Sequence, residues 1–289
     1  MSTVRVNGIE VYYEQVGTPG DQPLLLISGL GAQIVGWNRD FLEALASRRF
    51  WVTVYDNCDV GESTWFDHVG AIDPGRILTY EESAPYLLSD MAADGAELVR
   101  ELGLGRVDVV GVSMGGMIAQ QFAIDHADLT RSLTSIMSSP DIASSGQPTA
   151  EAAASMMSPR SDDLETYLDQ EAASWTLTAG SKYPLDEQWV RAQARAAWER
   201  GRNPDGVLRH MAAVVQSPDR RAGLAEISVP SLVIHGDEDP LVTPSGGEAT
   251  AAAIPGARYV VLRGVGHSLP REVWDEVFDE IEAVSLRAS

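Results

Sequence analysis

Between residues 107 and 121 the chain reads Val-Asp-Val-Val-Gly-Val-Ser-Met-Gly-Gly-Met-Ile-Ala-Gln-Gln, and this stretch restricts the fold more than any other. An apolar run breaks at Gly111 and apolar periodicity resumes at Met117, which predicts a strand, a sharp turn and a helix. Ser113 stands in the turn between Gly111 and Gly115, the Gly-x-Ser-x-Gly pattern of a nucleophile elbow. The glycines answer to crowding: a serine held in a strained conformation projects its hydroxyl, and side chains two residues to either side would strike the strand and the helix.

The rest of the chain supplies a sheet for that elbow. Residues 4–16 alternate in β fashion around Asn7-Gly8, which predicts an opening hairpin. The apolar run 24–27 reads as a strand buried on both faces, and it ends in Ser28-Gly29-Leu30-Gly31, a loop that can present backbone N–H groups at a sheet edge. A helix over 37–49, with Phe41, Leu42 and Leu45 at helical spacing, leads to a strand over 50–55. The polar loop 56–63 follows, where the carboxylate of Asp56 suits ordering a turn. Residues 64–78 read as irregular, 80–102 as one long helix ended by Gly103 and Gly105, and 133–137 as another buried strand. Further strands are expected at 231–235 and 258–262, with helices at 245–253 and 270–284. Alternation of this kind predicts a mostly parallel sheet with helices on both faces, an α/β fold.

Residues 141–221 depart from the alternation. They are rich in Ala, Ser, Met and Trp, carry helical patterns at 164–175 and 187–200, and lack a strong strand signal. The expected organisation is a core of 1–140 and 222–289 with a helical cap over 141–221. Trp37, Trp65, Met156, Trp175 and Met211 are candidate substrate-binding residues, because methionine adapts to irregular ligands and aromatics offer flat faces. Each could equally serve local packing, as could Trp189 and Trp198.

A serine hydroxyl is a weak nucleophile at neutral pH; it needs a base, and the base needs a partner that fixes its tautomer. Asp239 lies in the loop after one late strand and His267 in the loop after the next, so parallel strands bring both to the edge that carries Ser113. Asp237 and Asp141 are alternative acids, while His68, His126, His210 and His235 are weaker candidates for the base. The oxyanion formed on attack requires donors, and the backbone N–H groups of Leu30 and Met114 are the candidates. There is no His-x-x-x-His pattern and only one cysteine, Cys58, which speaks against a zinc hydrolase and permits no intramolecular disulfide.

Charge and length bound the partners. The 289 residues fit one α/β domain with an insertion. Acidic residues number 42 against 21 basic ones, and a formal charge of -21 repels nucleic acid and anionic membrane surfaces. No apolar run approaches the roughly 20 residues needed to span a bilayer, and the first residues lack a signal-peptide pattern. The expectation is a cytoplasmic protein with a small-molecule substrate; its oligomeric state is open.

Ser28-Gly29-Leu30-Gly31, the 56–63 loop, Gly-Val-Ser-Met-Gly, Gly-Asp-Glu-Asp-Pro-Leu-Val and Gly-Val-Gly-His together resemble the α/β-hydrolase superfamily. Residues 55–64 and 113–120 look like the actinobacterial serine carboxylesterase group that includes aclacinomycin methylesterase and LipG-type lipase/esterases. The resemblance implies a cofactor-free ester hydrolase with Ser113 as nucleophile, His267 as base and Asp239 as its orienter. Ser28 stands where the group usually has a histidine, and Cys58 where an arginine is common. An apolar cap points to hydrophobic, polyketide-like or short-to-medium acyl esters. Two rival readings keep the same residues: C–C bond hydrolysis or cofactor-free perhydrolysis on the same triad, and a catalytically silent ligand-binding scaffold.

Overall fold

The structure, a computed structural model, describes residues 2–288. An eight-stranded sheet runs in the order β1-β2-β4-β3-β5-β6-β7-β8, formed by β1 (Ser2–Val6), β2 (Ile9–Val16), β3 (Gln22–Ile27), β4 (Phe50–Tyr55), β5 (Val107–Val112), β6 (Thr130–Ile136), β7 (Ser231–Gly236) and β8 (Arg258–Leu262). The first hairpin is antiparallel and turns at Asn7 and Gly8, both at positive φ; β2 pairs antiparallel with β4, and every later pairing is parallel. Antiparallel entry followed by parallel crossovers leaves the carboxyl ends of β3, β5, β7 and β8 at one edge.

Helices cover both faces because successive strand residues point to opposite sides. Leu25 and Ile27 face α3 (Leu88–Glu101) and α4 (Met114–Asp125), in one apolar cluster with Met91, Leu98 and Phe122. Leu24 and Leu26 face α1 (Arg39–Ser47) and α11 (Trp274–Arg287), in a second cluster with Phe41, Leu45 and Phe278. Helix α4 is buried nearly all round, as a helix wedged between the sheet and α3 must be.

Two expectations need correction. Residues 64–78 are not wholly irregular: α2 (Pro74–Leu78) starts there, with Pro74 at its first turn and the Asp73 carboxylate accepting from Gly75 N at 2.8 Å. The helix expected over 80–102 starts only at Leu88. Pro85 disfavours helical backbone before it, and the Asp90 carboxylate accepts the Leu87 N–H at 2.7 Å, closing the first turn at that point.

Between β6 and β7 lie α5 (Ala150–Met157), α6 (Leu164–Thr178), α7 (Glu187–Arg200), α8 (Pro204–Gln216) and α9 (Arg221–Leu224). The helices expected near 164–175 and 187–200 are present as α6 and α7, and α5 and α8 are additional to them. Their caps are plain in hindsight, Thr149 for α5 and Asn203 followed by Pro204 for α8. Helix α10 (Ser245–Ala253) completes the chain between β7 and β8.

Candidate active site

Ser113 holds φ at 59°, a costly conformation for a non-glycine residue. Its N–H donates to Ile136 O at 2.9 Å, and its carbonyl accepts from Gly116 N and Met117 N at 2.9 and 3.2 Å. The glycine spacing has a steric cause: a Cβ on Gly111 would collide with Gly115 O, and one on Gly115 with Ile27 O. Gly116 is equally constrained by Ser138, whose Cβ would lie 2.7 Å away. The strain at Ser113 thus persists because strand, helix and neighbouring strand leave that backbone no other path.

The loop after β3 closes on the elbow. A Cβ on Gly29 would stand 3.3 Å from Ser113 Cβ, and Leu30 and Gly31 are the central residues of a turn closed by Ala32 N–H donating to Gly29 O at 3.2 Å. Trp37 Nε1 donates to Ser28 Oγ at 2.8 Å, so Trp37 braces this loop while stacking on Phe41. Ser28 thereby takes an indole as its partner.

Asp239 and His267 meet as their strand ends dictate. His267 Nδ1 donates to Asp239 Oδ2 at 2.6 Å, and Asp239 Oδ1 accepts from Leu241 N and Val242 N, each at 2.9 Å. Burial acts to raise the Asp239 carboxyl, but the charge and hydrogen bonds of His267 and His235 outweigh it and hold the group at about 2. His235 is wholly buried in β7, with Nε2 donating to Val242 O at 2.7 Å. The His267 loop is also gripped from the helical segment: His267 N donates to Thr178 O at 2.6 Å and Gly266 N to Ala179 O at 3.0 Å.

The alternative acids are occupied elsewhere. Asp237 accepts Gly264 N at 2.6 Å, and Asp141 accepts Ala143 N at 3.1 Å and pairs with Arg221. Asp56 orders its loop as expected, accepting Ile34 N at 2.7 Å and Glu62 N at 3.0 Å, and it also pairs with Arg200 of α7. Among the candidate pocket residues, Trp65 donates to Gly61 O at 3.1 Å and lies against Gly201, and Trp175 packs edge-to-face on Trp189 with ring centroids 5.6 Å apart. Met211 faces an apolar cleft with Ile72, Ile77, Leu78 and Met157, while Met156 is exposed.

Sequence reasoning passed over the residues that tie the helical segment to these loops. Arg209, wholly buried, donates to both oxygens of Asp59 at 2.8 and 2.7 Å, and Tyr86 Oη donates to the same carboxylate at 2.7 Å. Burial would raise Asp59, but these bonds and the Phe66 N–H hold it below the ordinary carboxylate value. An arginine and a histidine adjacent on a Pro-initiated amphipathic helix were the available signal.

With this geometry in place, likeness to known proteins becomes informative. The α/β-hydrolase fold family matches residues 22–270, and the chain belongs to it. A rhodomycin D methylesterase, DauP, from Streptomyces sp. (strain C5) is 28% identical over 287 residues, covering 92% of this chain and 91% of that one. Its counterpart DnrP from Streptomyces peucetius is 26% identical over 285 residues, covering 92% and 91%. An enol-lactonase structure from Burkholderia xenovorans LB400 superimposes with a TM-score of 0.74 at 24% identity over 98% of this chain and 99% of that one, a likeness of fold. Fold, family and relatives define a hydrolase. No helix among the described residues is long and apolar enough to cross a membrane.

Proposed function

We propose that this protein hydrolyses a hydrophobic carboxylic ester through an acyl-enzyme on Ser113, His267 and Asp239. The observation that carries the reading is the 2.6 Å bond from His267 Nδ1 to an ionised Asp239, at the sheet edge where Ser113 is held at φ 59°. Donation from Nδ1 leaves Nε2 as the base. Ser113 Oγ attacks the ester carbonyl as Nε2 takes its proton, and the Leu30 and Met114 N–H groups receive the oxyanion. The imidazolium returns the proton to the departing alcohol; water, deprotonated by the same nitrogen, then releases the acid and regenerates Ser113.

The methylesterase relatives support a small alcohol on a bulky, polyketide-like acid, with 141–221 acting as the cap over that acid and Trp37, Trp65, Met156, Trp175 and Met211 as its walls. A net charge of -21 and a single cysteine support a cytoplasmic protein acting on a small molecule rather than on nucleic acid or a membrane.

Intact-mass measurement after fluorophosphonate treatment, beside hydrolysis of p-nitrophenyl and methyl esters of increasing acyl size, tests the reading. A single adduct on wild type and none on Ser113→Ala is expected, with ester turnover lost in parallel. Equal turnover by both proteins would overturn the assignment of Ser113. Ligand binding without turnover by wild type would instead establish the silent scaffold.

A further inference from the structure

His210 of α8 joins the loop after β3 to the loop after β4. It is wholly buried; Gly31 N donates to its Nδ1 at 3.2 Å, and its Nε2 bonds to Cys58 O at 2.7 Å. The partners fix the tautomer. A backbone N–H can only donate, so Nδ1 carries a lone pair, and a carbonyl can only accept, so Nε2 carries the proton. The imidazole is therefore neutral, with both nitrogens engaged.

Gly31 sits at φ +67° as the second central residue of the turn that presents Leu30. A glycine there is compatible with two orientations of the Leu30–Gly31 peptide, which differ by a flip that exchanges N–H and C=O. An acceptor at Nδ1 selects the orientation observed. A proton on Nδ1 would repel the Gly31 N–H and favour the flipped peptide, with Leu30 O turned toward the ring. The fit is close: a Cβ on Gly31 would lie 2.9 Å from Val207 Cγ2, so α8 rests directly on this turn.

We propose that His210 is a positioning residue of the oxyanion hole, acting on the Leu30 N–H through the adjoining Leu30–Gly31 peptide, which its neutral Nε2–H tautomer holds in register and its protonation releases. The proposal rests on the active-site reading above. The titratable and charged groups facing the imidazole are Cys58 and Asp59 from the loop after β4, Tyr86 from the segment before α3, with ring centroids 6.3 Å apart, and Arg209 on its own helix. Burial, aided by Arg209, lowers the proton affinity of His210 against the opposing Cys58 carbonyl and Asp59, so the release belongs to the acid side of the ordinary histidine range.

The test is kcat and KM for p-nitrophenyl butyrate across the pH range in which thermal unfolding shows a folded protein, for wild type, His210→Gln and His210→Phe. Glutamine donates and accepts without titrating; phenylalanine keeps the ring and does neither. In wild type the acid limb of log kcat is expected to steepen from one proton to two as pH falls. His210→Gln should hold to one proton and keep kcat at pH 8 within about threefold, whereas His210→Phe should lose about tenfold or more in kcat with KM little changed, as a slightly misplaced donor predicts. A wild-type limb of one proton throughout, the same steepening in His210→Gln, or a His210→Phe change confined to unfolding temperature would each overturn the proposal. Should His210→Phe not fold, the profiles of wild type and His210→Gln decide. Turnover surviving in Ser113→Ala would remove the active-site reading instead, a result distinct from unaltered His210 variants.

Discussion

The sheet edge around Ser113 and the helices between β6 and β7 are held by different kinds of force. At the edge the constraints are backbone against backbone: Gly111 against Gly115, Gly115 against Ile27, Ser113 N–H on Ile136 O. The helical segment is tied down largely by side chains, with Arg209 on Asp59, Arg200 on Asp56 and His210 between Gly31 and Cys58, while Trp175 and Trp189 pack within it; the backbone bonds of the His267 loop to Thr178 and Ala179 are the exception. Backbone contacts leave almost no choice of residue. Side-chain ties can be exchanged for others of similar shape, so this region is freer to change in sequence than the edge.

Removing chemistry from the rigid edge should give the largest effects. Ser113→Ala is expected to lower kcat by about 10⁴–10⁶ with unfolding temperature little changed, because the lost hydroxyl bears no part of the fold. Burst and steady-state kinetics on an activated ester would show it. Asp239→Asn should cost about 10⁴ in kcat by presenting the wrong hydrogen-bonding partner to His267 Nδ1. A loss below tenfold would mean that another group orients the base.

The ties of the helical segment should respond in stability first. Asp59→Asn leaves the buried Arg209 without its countercharge, and breaking such a pair costs about 3–5 kcal/mol. Urea unfolding of Asp59→Asn, Arg209→Met and the double variant gives the coupling. The double variant is expected to recover much of the loss, as a shape-preserving exchange of a buried ion pair does. Strict additivity would show that the pair does not act as a unit and would weaken the contrast with the edge.

The same contrast explains what could be read in advance. Strand runs such as 24–27 and the glycines around Ser113 report local rules of period and sterics, and the structure places them as those rules require. The bounds of α10 and β8 were legible for the same reason. The helix expected from 80 failed because apolar spacing continues through Pro85 although the backbone does not. Arg209, Arg200 and His210 gave no local sign of what they bind, since their partners lie 144 to 179 residues away in the chain. Nothing short of the folded topology announces that pairing.

Two carboxylates at this edge should titrate against stability with opposite signs. Asp239, set at about 2 from 3.8 despite its burial, binds its proton less tightly folded than unfolded. Its contribution is present above 3.8 and lost as pH falls toward 2, worth roughly 2 kcal/mol. Asp56 is raised by burial in spite of Arg200 and the backbone N–H groups it accepts. It binds its proton more tightly folded, so its contribution is present below 3.8 and lost as pH rises through its folded value. Denaturant unfolding between pH 2 and 6 should therefore show stability rising with pH less steeply in Asp239→Asn than in wild type, and more steeply in Asp56→Asn. Identical slopes in the two variants would mean that these acids are not set apart by their partners, and that Asp56, at the joint with the helical segment, is paired as completely as the acid of the core.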